Sequence, residues 1–225
     1  WRTIVLPTEH GSWAFVSEPI ILGMLLVPSL GGLAFCIAVF AAFLLRQPLK
    51  TYLKDVKHRR QVPRTAVARQ FSFIFSSILI VASLSLWLTS PDLKMLVPVF
   101  FALPLIVIQF IADLRNNSRS LHAELASSFA TGAVASALVL IGGWLYLPAF
   151  GLWLALGGKA VTSVLYVRAR LRLERNQSTN CLFAVTSHAV VLGLLTIATL
   201  SEVVPWTVPV AMLVLFVRAA VGLSS

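Results

Sequence analysis

Residues 46–70 read RQPLKTYLKDVKHRRQVPRTAVARQ, eight Lys or Arg with a single acid, Asp55. On either side lie LGGLAFCIAVFAAFLL (30–45) and FSFIFSSILIVASLSLWLT (71–89), which carry no charge at all. Uncharged runs of this length read as membrane-spanning helices, and a dense basic segment between two of them reads as a cytoplasmic connection. The pattern repeats along the 225 residues: 58% are hydrophobic, 12% are charged, and the mean hydropathy is +0.90. The runs are continuous, without the in/out alternation of barrel strands, so helices are expected.

Eight helices are expected, at about 12–27, 31–45, 69–89, 94–112, 120–141, 147–167, 181–200 and 205–222, forming one transmembrane bundle over 1–225. PSLGG (28–32), TSPD (89–92) and GGWLYLP (142–148) supply Gly/Pro turns between them. Of the 18 Lys and Arg, 16 fall on one side of this topology. Lys94 alone falls on the other side, and Lys159 falls inside the sixth helix. Such asymmetry predicts cytoplasmic basic loops and cytoplasmic termini in a plasma (inner) membrane protein. It also removes the nucleic-acid reading that a net charge of +10 would suggest in a soluble chain. The first apolar run contains Glu18 and Pro19 and lacks a small-residue cleavage site, so it is not expected to be a signal peptide. The chain begins at Trp1, which points to trimming. Cys36 and Cys181 lie in or beside apolar runs, where neither a disulfide nor a metal site is expected.

Two or three charges would orient the helices, so the surplus in 46–70 needs another account. A solvated loop, attraction to anionic lipid headgroups, and capture of a phosphorylated ligand all fit. Ionisable groups within apolar runs are costly and mark candidate sites. Glu18 follows His10 and Trp13 along the first helix; His10 also suits a helix start and Trp13 the interfacial aromatic belt. GGKAVTSVLYVRAR (157–170) sets Lys159, Thr162, Tyr166 and Arg170 at helical spacing. This stripe is either the wall of a cavity or one side of a Lys159–Glu18 ion pair. QFIADLRNNSRSLHAEL (109–125) places Gln109, Asp113 and Asn116 on one face, with Arg119, His122 and Glu124 across the bend. Its two carboxylates suit either Mg²⁺ or pairing with Arg115 and Arg119. His188 is a lone histidine suited to packing. Ser128, Gly132 and Ser136 recur every four residues and predict a close helix contact.

EHGSWAFVSEP (9–19), LLRQPLK (44–50) with Asp55 and PRT (63–65), and RSLHAEL (119–125) resemble the YwiC-like family of bacterial membrane proteins. The resemblance covers most of the chain and implies multi-pass membrane topology. More distantly, the helix pairing is similar to the UbiA superfamily of intramembrane prenyltransferases. That likeness implies a prenyl diphosphate held through Mg²⁺ by Asp-rich loops after the second and sixth helices. Here the first loop keeps Asp55 alone, and Arg168, Arg170 and Arg172 stand in the second. Capture of an anion by guanidinium groups is the better match to these residues.

Three functions compete at this point. An intramembrane enzyme or binding protein would take an anionic amphiphile, such as a prenyl diphosphate or a phospholipid. Its binding candidates are Trp13, Glu18, Arg46, Lys50, Arg64, Arg119, Lys159, Tyr166 and Arg168. Its acid/base candidates are His10, Asp55, Asp113, His122 and Glu124. A transporter would instead use Glu18, Lys159 and His188 near the midplane. A non-catalytic accessory factor would need none of them. Membrane lipids are the expected partners of all three. No GxGxxG, Walker A, HExxH or CxxCH pattern is present to name a cofactor.

Overall fold

A computed structural model describes residues 2–6, 10–59, 62–90 and 92–224, although the side chains of Arg2, Thr3 and His10 lie outside the described set. Its helices are α1 (Arg2–Val5), α2 (His10–Leu26), α3 (Leu30–Lys57), α4 (Pro63–Thr89), α5 (Leu96–Leu114), α6 (Leu121–Ile141), α7 (Tyr146–Glu174), α8 (Cys181–Leu200) and α9 (Thr207–Ser224). A 3₁₀ turn, Leu93–Met95, leads into α5, and no strand occurs among the described residues. Seven of the helices, α3 to α9, are long and apolar enough to cross a membrane; α2 is apolar but shorter. The eight expected helices are therefore all present, as α2 to α9.

Their edges differ from expectation at the basic end. α3 does not stop at Leu45 but continues through Arg46, Lys50 and Lys54 to Lys57, and α4 already starts at Pro63. The connection shrinks from a long basic loop to His58–Val62. α7 likewise runs on past Val167 to Glu174. Loss of hydropathy marks where the membrane ends, whereas Lys, Arg and Leu remain good helix formers beyond it. Pro63 suits the first turn of α4, where its missing N–H costs nothing. At the rise of an α-helix, α3 spans about 42 Å against a hydrocarbon core of about 30 Å, so its basic turns project past the apolar slab.

The helix ends share one device. Asn116, Gly143, Asn176 and Glu202 take positive φ angles of 57°, 88°, 53° and 57°. In each case the next residue's N–H returns to a carbonyl five residues back: Asn117 to Ala112, Trp144 to Val139, Gln177 to Arg172 and Val203 to Ala198. This left-handed closure satisfies carbonyls that would otherwise be orphaned and turns the chain sharply.

α6 is the centre of the bundle, packed against α2, α5 and α7. Of its most apolar window 61% is buried, against 17% for α4, α8 and α9. Its small residues allow this. A Cβ on Gly132 would sit 2.7 Å from Trp153 Cδ1 and 3.0 Å from both Gly157 N and Trp153 O. Ser128 and Ser136 are fully buried on the same face. The expected close contact of that face is thus the α6–α7 seam. Trp153 closes it by donating its indole N–H to Phe129 O at 2.8 Å. The outer helices present Phe, Leu, Ile and Val outward, as a surface facing lipid does.

Candidate functional site

α3 packs tightly on α4, and α5 on α6, but the two hairpins lean on each other only lightly. Between them lies a cleft of about 660 Å³, to which Val16 of α2 also contributes. Phe35, Leu79, Met95, Ala102 and Val134 give it an apolar wall. Trp87, Leu93, Leu96 and Ile106 line it too while remaining exposed on the bundle surface, so the cleft opens sideways between α4 and α5. Ser127 and Thr131 donate to their own helix, at Glu124 O and Ser128 O, and add little polarity. The polar groups that stand out in the lining, Arg46 and Gln109, lie together at the basic end.

They belong to a network around Asp113, whose carboxylate is only 1% exposed. Arg46 grips it with two bonds, Nε to Oδ2 at 2.5 Å and Nη2 to Oδ1 at 2.9 Å. Lys50 Nζ stands 3.8 Å from Oδ1, and Gln109 Nε2 donates to Oδ1 at 3.3 Å. One turn further out, Lys54 Nζ donates to Asn116 Oδ1. Arg46, Lys50 and Lys54 recur every four residues, so the helical continuation of α3 sets them on one face toward the end of α5. Three cations and one carboxylate gather at this end, a net charge of about +2; Arg46 lines the cleft itself with its fork on Asp113, and Lys50 and Lys54 follow on the outward turns of α3.

The remaining candidates are engaged elsewhere. Asp55 is buried at the end of α3. It accepts from Arg64 at 3.1 and 2.8 Å and from Thr65 Oγ1 at 2.8 Å, tying α3 to the start of α4. Glu124 accepts from Arg168 at 2.5 Å, and the same Arg168 nitrogen donates to Arg119 O at 3.0 Å. The carboxylates therefore meet Arg46 and Arg168, not the neighbouring Arg115 and Arg119 that sequence proximity suggested. His122 is exposed, and the side chain of His10 lies outside the described residues. Trp13 meets Phe43 edge-on at 5.1 Å. Tyr166 lies under Arg218, with the guanidinium carbon 5.7 Å from the ring centre. Lys159 donates to Glu18, joining α7 to α2, yet the two side chains remain 40% and 44% exposed. His188 is buried, with Nδ1 2.8 Å from Ala184 O, a packing arrangement. Among the described residues no three of His, Cys, Asp and Glu converge on a metal-sized space.

The structure thus unites Arg46, Lys50 and Asp113, holds Arg64, Arg168 and Lys159 in separate ion pairs, and engages Arg119 through its backbone carbonyl, which accepts from Arg168. It adds Lys54, one of the eight cations of the basic stretch, and Gln109 and Asn116, which helical spacing had set on one face with Asp113.

No curated protein and no solved structure matches the chain. The model of one protein family, described as YwiC-like protein, matches residues 6–139. Every residue lining the cleft, from Val16 to Val134, falls inside that match, as do all members of the Asp113 network. With well over half of its length matched, this multi-pass membrane chain belongs to the YwiC-like family.

Proposed function

We propose that this protein binds an anionic amphiphile at the cytoplasmic face of the membrane. The tail would lie in the α3–α6 cleft and the charged head at Arg46, Lys50 and Lys54. One observation carries the reading: an apolar cleft whose polar end coincides with a net positive cluster. Pockets of about 300–1,000 Å³ with a few convergent polar groups are the usual form of small-ligand sites. Placing that end in the cytoplasm rests on the bias of Lys and Arg. Asp113 and Asp55 sit in bidentate arginine pairs, which favours positioning over proton transfer for both.

The test is thermal stability of the purified protein in neutral detergent with oleoyl lysophosphatidate, dioleoyl phosphatidate, farnesyl diphosphate and zwitterionic lysophosphatidylcholine, each with and without Mg²⁺. A ligand of the folded state raises the melting temperature. At least one anionic amphiphile should do so, the zwitterionic lipid should not, and Arg46→Gln should abolish the shift. The absence of a shift with every anionic probe would overturn the reading.

A second reading, transport, is favoured by the half-exposed Glu18–Lys159 pair at mid-bundle, since ionic groups at that depth often line a substrate path. Proton-gradient-driven uptake into proteoliposomes, lost in Glu18→Gln, would support it over the first.

A further inference from the structure

Lys50 is the cation of the Asp113 network with the least to hold. Arg46 spends Nε and Nη2 on Asp113, and Lys54 donates to Asn116. Lys50 Nζ stands 3.8 Å from Asp113 Oδ1, beyond hydrogen-bond length, and makes no hydrogen bond among the described residues. Its side chain is nonetheless only 21% exposed. An ammonium carries three donors, and withdrawing it from water is costly unless they are used. The nitrogen is still reachable. The sealed side-chain atoms without a partner among the described residues are Ser72 Oγ, Gln109 Oε1 and Ser136 Oγ, and Lys50 Nζ is not one of them. The same holds for Arg46 Nη1, the guanidinium nitrogen that Asp113 leaves over.

The described acids supply no second counter-charge there. At the basic end Asp55 pairs with Arg64, Glu124 with Arg168 and Glu174 with Arg170. Asp113 alone answers Arg46, Lys50 and Lys54. Arg46 and Lys50 both reach Asp113 Oδ1, so one ligand group can touch both cations. A phosphate monoester brings a charge of about −1.5 to −2 and three acceptor oxygens. A phosphate diester brings a single charge and loses an acceptor to the second ester bond.

We propose that the site selects a dianionic headgroup, a terminal phosphate, over a singly charged phosphodiester, and that Lys50 reads the second charge. The inference deepens the binding reading above and rests on it. With the tail in the apolar cleft, Arg46 Nη1 meets one phosphate oxygen at the rim and Lys50 Nζ meets another, one turn further out along α3. Against a diester the ammonium stays as poorly partnered as it is beside Asp113 alone.

The experiment compares dissociation constants of dioleoyl phosphatidate and dioleoyl phosphatidylmethanol in neutral detergent. The two share both tails and differ by one methyl group and one charge. At about pH 8 the monoester is close to fully ionised. The wild-type protein should bind phosphatidate about tenfold more tightly, the lower end of what a hydrogen bond to a charged group is worth. Lys50→Gln leaves Asp113 its two bonds from Arg46 and the one from Gln109, so the network survives. That variant should bind the two lipids alike, whereas Lys50→Arg should keep the preference. Equal wild-type affinities would overturn the charge selection while leaving anionic-amphiphile binding intact. A preference that persists in Lys50→Gln would overturn the role of Lys50. Excess inorganic phosphate should not displace phosphatidate; displacement would make this a site for free phosphate and overturn the lipid source. Binding of neither lipid would remove the parent reading and this one together. If Lys50→Gln does not fold, the wild-type comparison decides alone.

Discussion

Removing the carboxylate at the mouth of the cleft should destabilise the protein more than removing the arginine it holds. Asp113 is almost wholly buried and receives two bonds from Arg46 and one from Gln109, with Lys50 close by. In Asp113→Asn, Arg46 and Lys50 face each other without a counter-charge. Breaking a buried ion pair on one side costs about 3–5 kcal/mol. The Arg46 and Lys50 side chains keep 29% and 21% exposure and can recover some hydration, so the lower end, about 3 kcal/mol, applies. In Arg46→Gln the carboxylate keeps Lys50 and Gln109, and the cost should fall to about 2 kcal/mol. The double variant loses the strained charge as well as the bond and should cost about 3 kcal/mol, leaving a coupling energy of about 2 kcal/mol. Reversible unfolding in mixed micelles of increasing SDS fraction gives all four corners of the cycle. A coupling below about 0.5 kcal/mol would refute the reasoning, since sites that do not interact add within that margin.

Other consequences can be checked in parallel. Gly132→Val should push α6 from α7, because its Cβ alone meets Trp153 and the α7 backbone at 3.0 Å or less; a loss of about 1–3 kcal/mol in the same unfolding assay is expected. Asp55→Asn should release Arg64 and Thr65 and loosen the α3–α4 turn, seen as faster proteolysis within His58–Val62 with a stability loss of about 1–3 kcal/mol. Cysteines placed at His58 and at Ser201, in a background without Cys36 and Cys181, should react with an impermeant maleimide from opposite sides of the membrane. His58→Cys should be reached from the cytoplasm; the reverse would invert the orientation drawn from the basic residues.

The number and order of the long helices could be read from the sequence because lipid tolerates only segments that satisfy their own backbone. Where those helices end could not. Arg46, Lys50 and Lys54 look like a loop on a hydropathy scale and are a helix face in the structure. The Glu18–Lys159 pair was legible because few other ionisable groups lie at that depth. The Arg46–Asp113 pair was not, because the two lie 67 residues apart and nearer arginines competed on paper. The orientation of Gln109 is invisible in sequence, since it follows from which atom Asp113 can accept.

For a ligand of the proposed site, the sideways opening between α4 and α5 would change the meaning of affinity. A molecule reaching the cleft through it arrives from the bilayer and never dissolves in water. Its effective concentration is then its mole fraction among the surrounding lipids. A site of modest intrinsic strength would stay filled by a minor lipid amounting to a few per cent of the leaflet. Occupancy would track lipid composition, and a change in that composition would register in the protein without any change in the aqueous phase.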